Sequence, residues 1–163
     1  DGHRQHAHRG PPAPSRMSEV FSNIPLVAAV SATAVAQLLK VLLVLASEKR
    51  WAPDRLLDTG GMPSSHSAAV SALAISLGVL YGWGSPEFAI ACVLGSIVMY
   101  DATGIRRAAG RHAEMINDLV KELGHLFDEG FQPQVLKTLL GHTYPQVIVG
   151  ALLGVTTGLV ITL

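Results

Sequence analysis

Apolar residues gather in four long stretches nearly free of charge, at 24–46, 66–83, 88–100 and 145–163. A helix crossing a bilayer needs roughly 20 apolar residues, with a range of about 17–25. The first and last stretches meet that length outright, and the second sits at its short end. The third meets it when it continues through Ala102 and Gly104. The pattern predicts an all-α chain, a polytopic membrane bundle of about four transmembrane helices. A soluble bundle is the competing reading, but helices apolar on every face belong in lipid or inside a much larger protein.

From residue 105 the pattern changes. Ile105, Ala108, His112, Met115, Ile116, Leu119, Val120 and Leu123 recur at three- and four-residue steps. Arg106, Arg107, Arg111, Glu114, Asp118, Lys121 and Glu122 fill the other side. That periodicity predicts one amphipathic helix at the interface. Its steps lead back to Asp101, which puts this carboxylate on the expected packed face, where it needs a partner. His112 is read as a packing residue.

Small residues mark where helices approach. Ala28, Ala29, Ala32 and Ala36 do so in the first span, and the pairs Ser67/Ser71 and Ala68/Ala72 in the second. Gly150, Gly154 and Gly158 form two G-x-x-x-G steps in register, a helix-packing face and the expected contact for a homo-oligomer. Tyr81 and Trp83 are placed as interfacial anchors.

Composition narrows the classes. The 163 residues suffice for one domain; 49% are apolar, 15% are charged, and the formal net charge is zero. Without a basic excess, no binding to nucleic acid is expected. Cys92 stands alone in an apolar run and is expected to be a small buried filler. Residues 1–20 are expected to be a disordered tail, either a targeting remnant or an added sequence, before a single membrane-embedded domain over 21–163. No C-x-x-C or H-E-x-x-H spacing points to a metal, and no cofactor is expected.

With four spans, the loops after the first and third lie on one side of the membrane. They hold Lys49, Arg50, Arg55, Arg106, Arg107, Arg111, Lys121 and Lys137, whereas the loop between the second and third spans holds no Lys or Arg. The positive-inside rule turns the charged side toward the cytoplasm or its organellar equivalent. The same topology brings His66, Asp101 and His142 to that face. Lys40 lies toward it, either snorkelling to the interface or facing the bundle interior.

The chemistry concentrates at Thr59-Gly60-Gly61-Met62-Pro63-Ser64-Ser65-His66-Ser67. Glycines such as Gly61 allow a sharp turn and a close ligand approach, and proline suits a first helical turn. The N–H groups of Ser64, Ser65 and His66, with the helix dipole, then form an anion site that the serine hydroxyls extend. The plainer alternative is an N-capped helix with a polar histidine. Two histidines, several cations and a helix N-terminus suit phosphoryl transfer without a metal. One histidine would attack phosphorus while the other protonates the leaving oxygen.

Three motifs in order, Thr59–Ala68, Met99-Tyr100-Asp101-Ala102-Thr103-Gly104 and Leu140-Gly141-His142-Thr143, resemble the divergent PAP2 family. Its members are described as related to acid phosphatases and vanadium-dependent haloperoxidases. In the wider superfamily a Pro-Ser-Gly-His motif binds phosphate and supplies an acid histidine. The resemblance therefore casts His66 as general acid and Ser64 and Ser65 as phosphate donors. A later Ser-Arg-x₅-His-x₃-Asp motif supplies the nucleophile, a role that falls to His142. Here Leu136 occupies the arginine position beside Lys137, and Gln146 occupies the aspartate position. Asp101 is the candidate to supply the missing charge, while Lys40 with Arg50 or Arg55 loosely replaces an absent Lys-x₆-Arg-Pro motif. Arg106 and Lys137 complete the expected substrate-binding cations.

The expectation is an integral-membrane, metal-independent phosphatase for a lipid phosphate or diphosphate. Its alternatives are a non-catalytic binder of an anionic headgroup or partner, and a vanadate-dependent haloperoxidase.

Overall fold

The computed structural model describes residues 16–53, 60–124, 134–138 and 140–163. They form six helices: α1 (Arg16–Phe21), α2 (Ile24–Glu48), α3 (Ser65–Tyr81), α4 (Pro86–Thr103), α5 (Ile105–Glu122) and α6 (Tyr144–Thr162). Arg55 lies outside the described residues. Residues 16–20, expected to belong to a tail, enter the short helix α1 instead.

Local chemistry fixes the helix starts. The Asn23 side chain accepts the Leu26 N–H at 3.1 Å, with Pro25 in the first turn. Ser85 does the same for Phe88 at 3.2 Å, ahead of Pro86. Ser64 caps α3 by accepting the Ser67 N–H at 3.3 Å. Each cap satisfies a donor that has no partner within the helix.

The bundle is built around α3, which packs on α2, α4 and α6. Its centre is made of methyl groups: Ala28, Ala32 and Ala36 of α2 meet Ala68 and Ala72 of α3, all fully buried. The glycines of α6 bring backbones together. A Cβ on Gly150 or Gly154 would land on the carbonyl oxygen of Ser64 or Ala68, and one on Gly158 would lie 2.9 Å from that of Ala72. The glycine face is therefore filled by α3 of the same chain. The helix-packing role expected of Gly150, Gly154 and Gly158 is thus met within the chain. Near the far end Thr162 donates its hydroxyl to Ser76 at 2.8 Å, satisfying a polar pair between the same two helices.

Large apolar side chains point the other way. Ile90 is 68% exposed and Val160 76%, with Leu38, Leu42, Val93 and Ile97 also exposed. A helical protein with small residues inside and branched aliphatics outside has lipid as the partner of its surface. The 19 residues of α6 span roughly 28 Å at about 1.5 Å per residue, close to the roughly 30 Å of a bilayer's hydrocarbon core. Three helical segments, starting at Ile24, Pro86 and Tyr144, are long and apolar enough to cross a membrane, and α3 is a shorter apolar helix. Cys92, expected inside, is exposed on α4 because its position faces outward with Val93.

Helix α5 corrects the expected packing. Ile105, Met115, Ile116 and Leu119 are exposed, as is His112, and only Gly110 and Ala113 of this helix are buried. The apolar stripe points away from the bundle, and a neighbouring narrow face carries the packing. The reason is the solvent: beside a bilayer, an apolar stripe finds its partner in lipid.

Candidate functional site

His142 reaches the site at the end of a strap laid along α5. The strap runs antiparallel to the helix and is tied down at successive points. The Asn117 side chain grips the backbone of Leu136 twice, donating Nδ2–H to its carbonyl and accepting its N–H, both at 2.9 Å. Gly110 lets the strap come close, since a Cβ there would lie 2.7 Å from the Thr138 carbonyl oxygen and 2.9 Å from that of Leu140. Gly141 takes a φ of 80° and crosses directly over the Arg107 backbone. A side chain at Gly141 would be strained and would collide. The His142 N–H then donates to the Ala102 carbonyl at 2.9 Å, docking the strap on the end of α4.

The ring of His142 is oriented by the first turn of α6. Gln146 Oε1 accepts the backbone N–H of Thr143 at 3.0 Å. An atom accepting a backbone N–H is an oxygen, so Nδ1 of His142, facing it at 3.3 Å, must be the donor. In the neutral ring the lone pair then sits on Nε2. His142 is buried, and its Nε2 has no partner of hydrogen-bond distance and angle. Burial holds its pKa below the ordinary value of 6.5. Lys40 and His66 push it the same way, while the Gln146 side chain and the Gly61 backbone oppose them.

His66 meets His142 across a cavity of about 230 Å³, bordered also by Asp101, Arg106, Ile97 and Gly141. Asp101 forms an ion pair with Arg106. The five-residue separation lets Arg106 fold back onto the carboxylate, and the His142 ring is held by Gln146. Lys40 is buried in the bundle rather than snorkelling, and its stem runs beneath Gly61, 3.9 Å from where a Cβ there would lie.

A second cavity of about 220 Å³ lies on the other side of Gly141 and His142, bordered by Gly61, Gln146, Arg107 and Arg111. Ser64 and Ser65 border neither cavity. Both are buried, and the Ser64 hydroxyl is committed to its cap and to the Ser67 hydroxyl at 3.0 Å. The Ser64 N–H is likewise taken, by the Gln146 carbonyl at 3.1 Å. The expected serine donors are thus turned inward, because the start of α3 is packed against α6. Lys137 is exposed on the strap and borders neither cavity. Among the described residues, no group of three or more His, Cys, Asp or Glu gathers as a metal site.

A profile of the divergent PAP2 family matches residues 21–157. The chain belongs to the divergent PAP2 family. The chain is also similar to an uncharacterized membrane protein of Bacillus subtilis (strain 168), YuiD. It is 36% identical over 152 residues, covering 88% of this chain and 96% of the relative. No solved structure matches the chain. The family, the membrane-protein relative and the apolar helices agree that this is an integral membrane protein.

Against this divergent PAP2 frame, Asn117, Arg107 and Arg111 are the residues that sequence reasoning did not place at the site. The two arginines carried a usable signal, their one-turn spacing on the polar side of α5. Asn117 carried none, since its partner is a backbone.

Proposed function

We propose that this divergent PAP2 protein hydrolyses a lipid phosphate or diphosphate, with His142 as nucleophile and His66 as general acid. One observation carries the reading: a buried imidazole whose Nδ1 proton is fixed by Gln146, on a residue that borders one cavity together with His66. In the first step Nε2 bonds to phosphorus as the ester P–O bond breaks, and His66 gives its proton to the leaving oxygen. Water then attacks the phosphohistidine, His66 takes the water's proton, and the N–P electron pair returns to Nε2. Arg106 and buried Lys40 supply positive charge near the phosphoryl oxygens. Exposed Ile97 at the cavity border supports a substrate arriving from the bilayer. The Lys- and Arg-rich loops favour a site on the cytoplasmic side or its organellar equivalent.

The test is phosphate release by purified protein from polyprenyl and diacylglycerol phosphates, with p-nitrophenyl phosphate as a substrate whose leaving group needs no acid. His142→Ala should lose activity on all of them by about a thousandfold. His66→Ala should lose the lipid substrates, and with p-nitrophenyl phosphate it should still release one burst of p-nitrophenol, because that leaving group needs no acid, while hydrolysis of the phosphohistidine slows. Release that survives both substitutions overturns the reading.

A second reading, a non-catalytic binder of phosphorylated headgroups, is favoured by an uncharged Gln146 behind His142 and by the closure of Nε2 from solvent. Headgroup binding by wild-type protein with no release from any substrate would select it.

A further inference from the structure

The second cavity shares His142 with the first, and its arginines have no role in the reaction just described. It lies between the polar side of α5 and the Gly60–Gly61 turn, and Arg107 and Arg111 both border it. They stand four residues apart on α5, a spacing that stacks side chains on one face. Among the described residues, neither guanidinium has an ion-pair partner. Arg106 differs, since Asp101 already engages it in the first cavity. Among the described residues, the guanidinium groups of this helix without an ion-pair partner therefore border the second cavity.

The chemistry of that cavity suits a phosphate. A guanidinium presents paired N–H donors matched to phosphate oxygens. Thr138 and Thr143 also border the cavity, as do the glycines at 60, 61, 110 and 141. One group opposes an anion: Glu114 lies on the same border. With two arginines against one carboxylate, the balance remains positive.

We propose that Arg107 and Arg111 form a second phosphate subsite, meeting the first cavity at Gly141 and His142. The proposal rests on the hydrolase reading only for the role of His142 at the junction. Its ligand is a phosphate-type dianion. The source is either the distal phosphate of a diphosphate substrate, whose reacting phosphorus lies in the first cavity, or free inorganic phosphate.

Calorimetry on the full chain in detergent tests it with three probes: inorganic phosphate, methylphosphonate and the non-hydrolysable methylenediphosphonate. If the source is a diphosphate, methylenediphosphonate binds about tenfold tighter than methylphosphonate, and Arg107→Gln with Arg111→Gln abolishes that advantage. If the source is free phosphate, wild-type protein binds two phosphates per chain, the double variant binds one, and the diphosphonate has no advantage. Glu114→Gln tightens the preferred probe several-fold in either case, a gain that a misfolded variant cannot produce. The proposal is overturned if wild type and double variant bind all three probes alike. Diphosphonate preference in a protein that releases no phosphate keeps the subsite and removes the hydrolase reading.

Discussion

The side-chain oxygen of Gln146 lies 3.3 Å from Nδ1 of His142 while also holding the Thr143 N–H at 3.0 Å. One atom thus starts helix α6 and sets the tautomer of the site histidine. A neutral amide can orient an imidazole, but it adds little stabilisation to an imidazolium, which a carboxylate at the same place would favour.

Replacing Gln146 by Glu keeps the length and both hydrogen bonds while adding a charge. The His142 pKa should rise toward or above the ordinary 6.5, read by NMR of the ring. The acid limb of hydrolysis should move up with it. Gln146→Leu should leave α6 less firmly started and cut turnover by about tenfold to a hundredfold.

The lowered pKa of His142 fixes the sign of a stability effect. The unfolded chain binds this proton more readily than the folded one, so the contribution is complete above about pH 6.5. It declines as pH falls from there toward the lower folded value and is flat below it. Thermal unfolding in detergent across this window should show the decline in wild type, and His142→Phe should reduce it.

Asn117 should matter to the site without touching it. Asn117→Ala removes two hydrogen bonds that hold Leu136, each worth about 0.5–1.5 kcal/mol. The Leu136 amide should exchange faster and kcat should fall about tenfold with KM nearly unchanged, while helix content stays constant. Asn117→Asp keeps the acceptor and loses the donor, so it should fall between the two.

The α3–α6 contact predicts an order of damage. Gly154→Ala drives a methyl into the Ala68 carbonyl, whereas at Gly158 the corresponding oxygen is 2.9 Å away. Gly154→Ala should lower stability by about 1–3 kcal/mol and Gly158→Ala by less, read as melting in detergent.

Much of the fold was legible because it is local. The apolar runs mark the spans, and Pro25, Pro86 and Pro145 stand in first turns of helices α2, α4 and α6. The gathering of His66, Asp101 and His142 at one end followed from counting spans. Less was legible in the side chains' tasks. Ser64 and Ser65 read as ligand donors, yet burial against α6 engages the first as a cap and hides both. Asp101 read as a carboxylate in need of a partner, and which cation it meets, Arg106, was not named by the pattern.

The chain's linear order alone determined an all-helical membrane protein with an amphipathic segment after its third span, since run length and period are properties of neighbouring residues. Only the tertiary structure decided which faces meet. In lipid, apolar periodicity no longer marks the packed side, so α5 could present its stripe outward and pack through Gly110 and Ala113. The strap that carries His142 is held by Asn117 through a backbone 19 residues away, a contact that demands no particular side chain at Leu136 and so leaves no mark on the sequence.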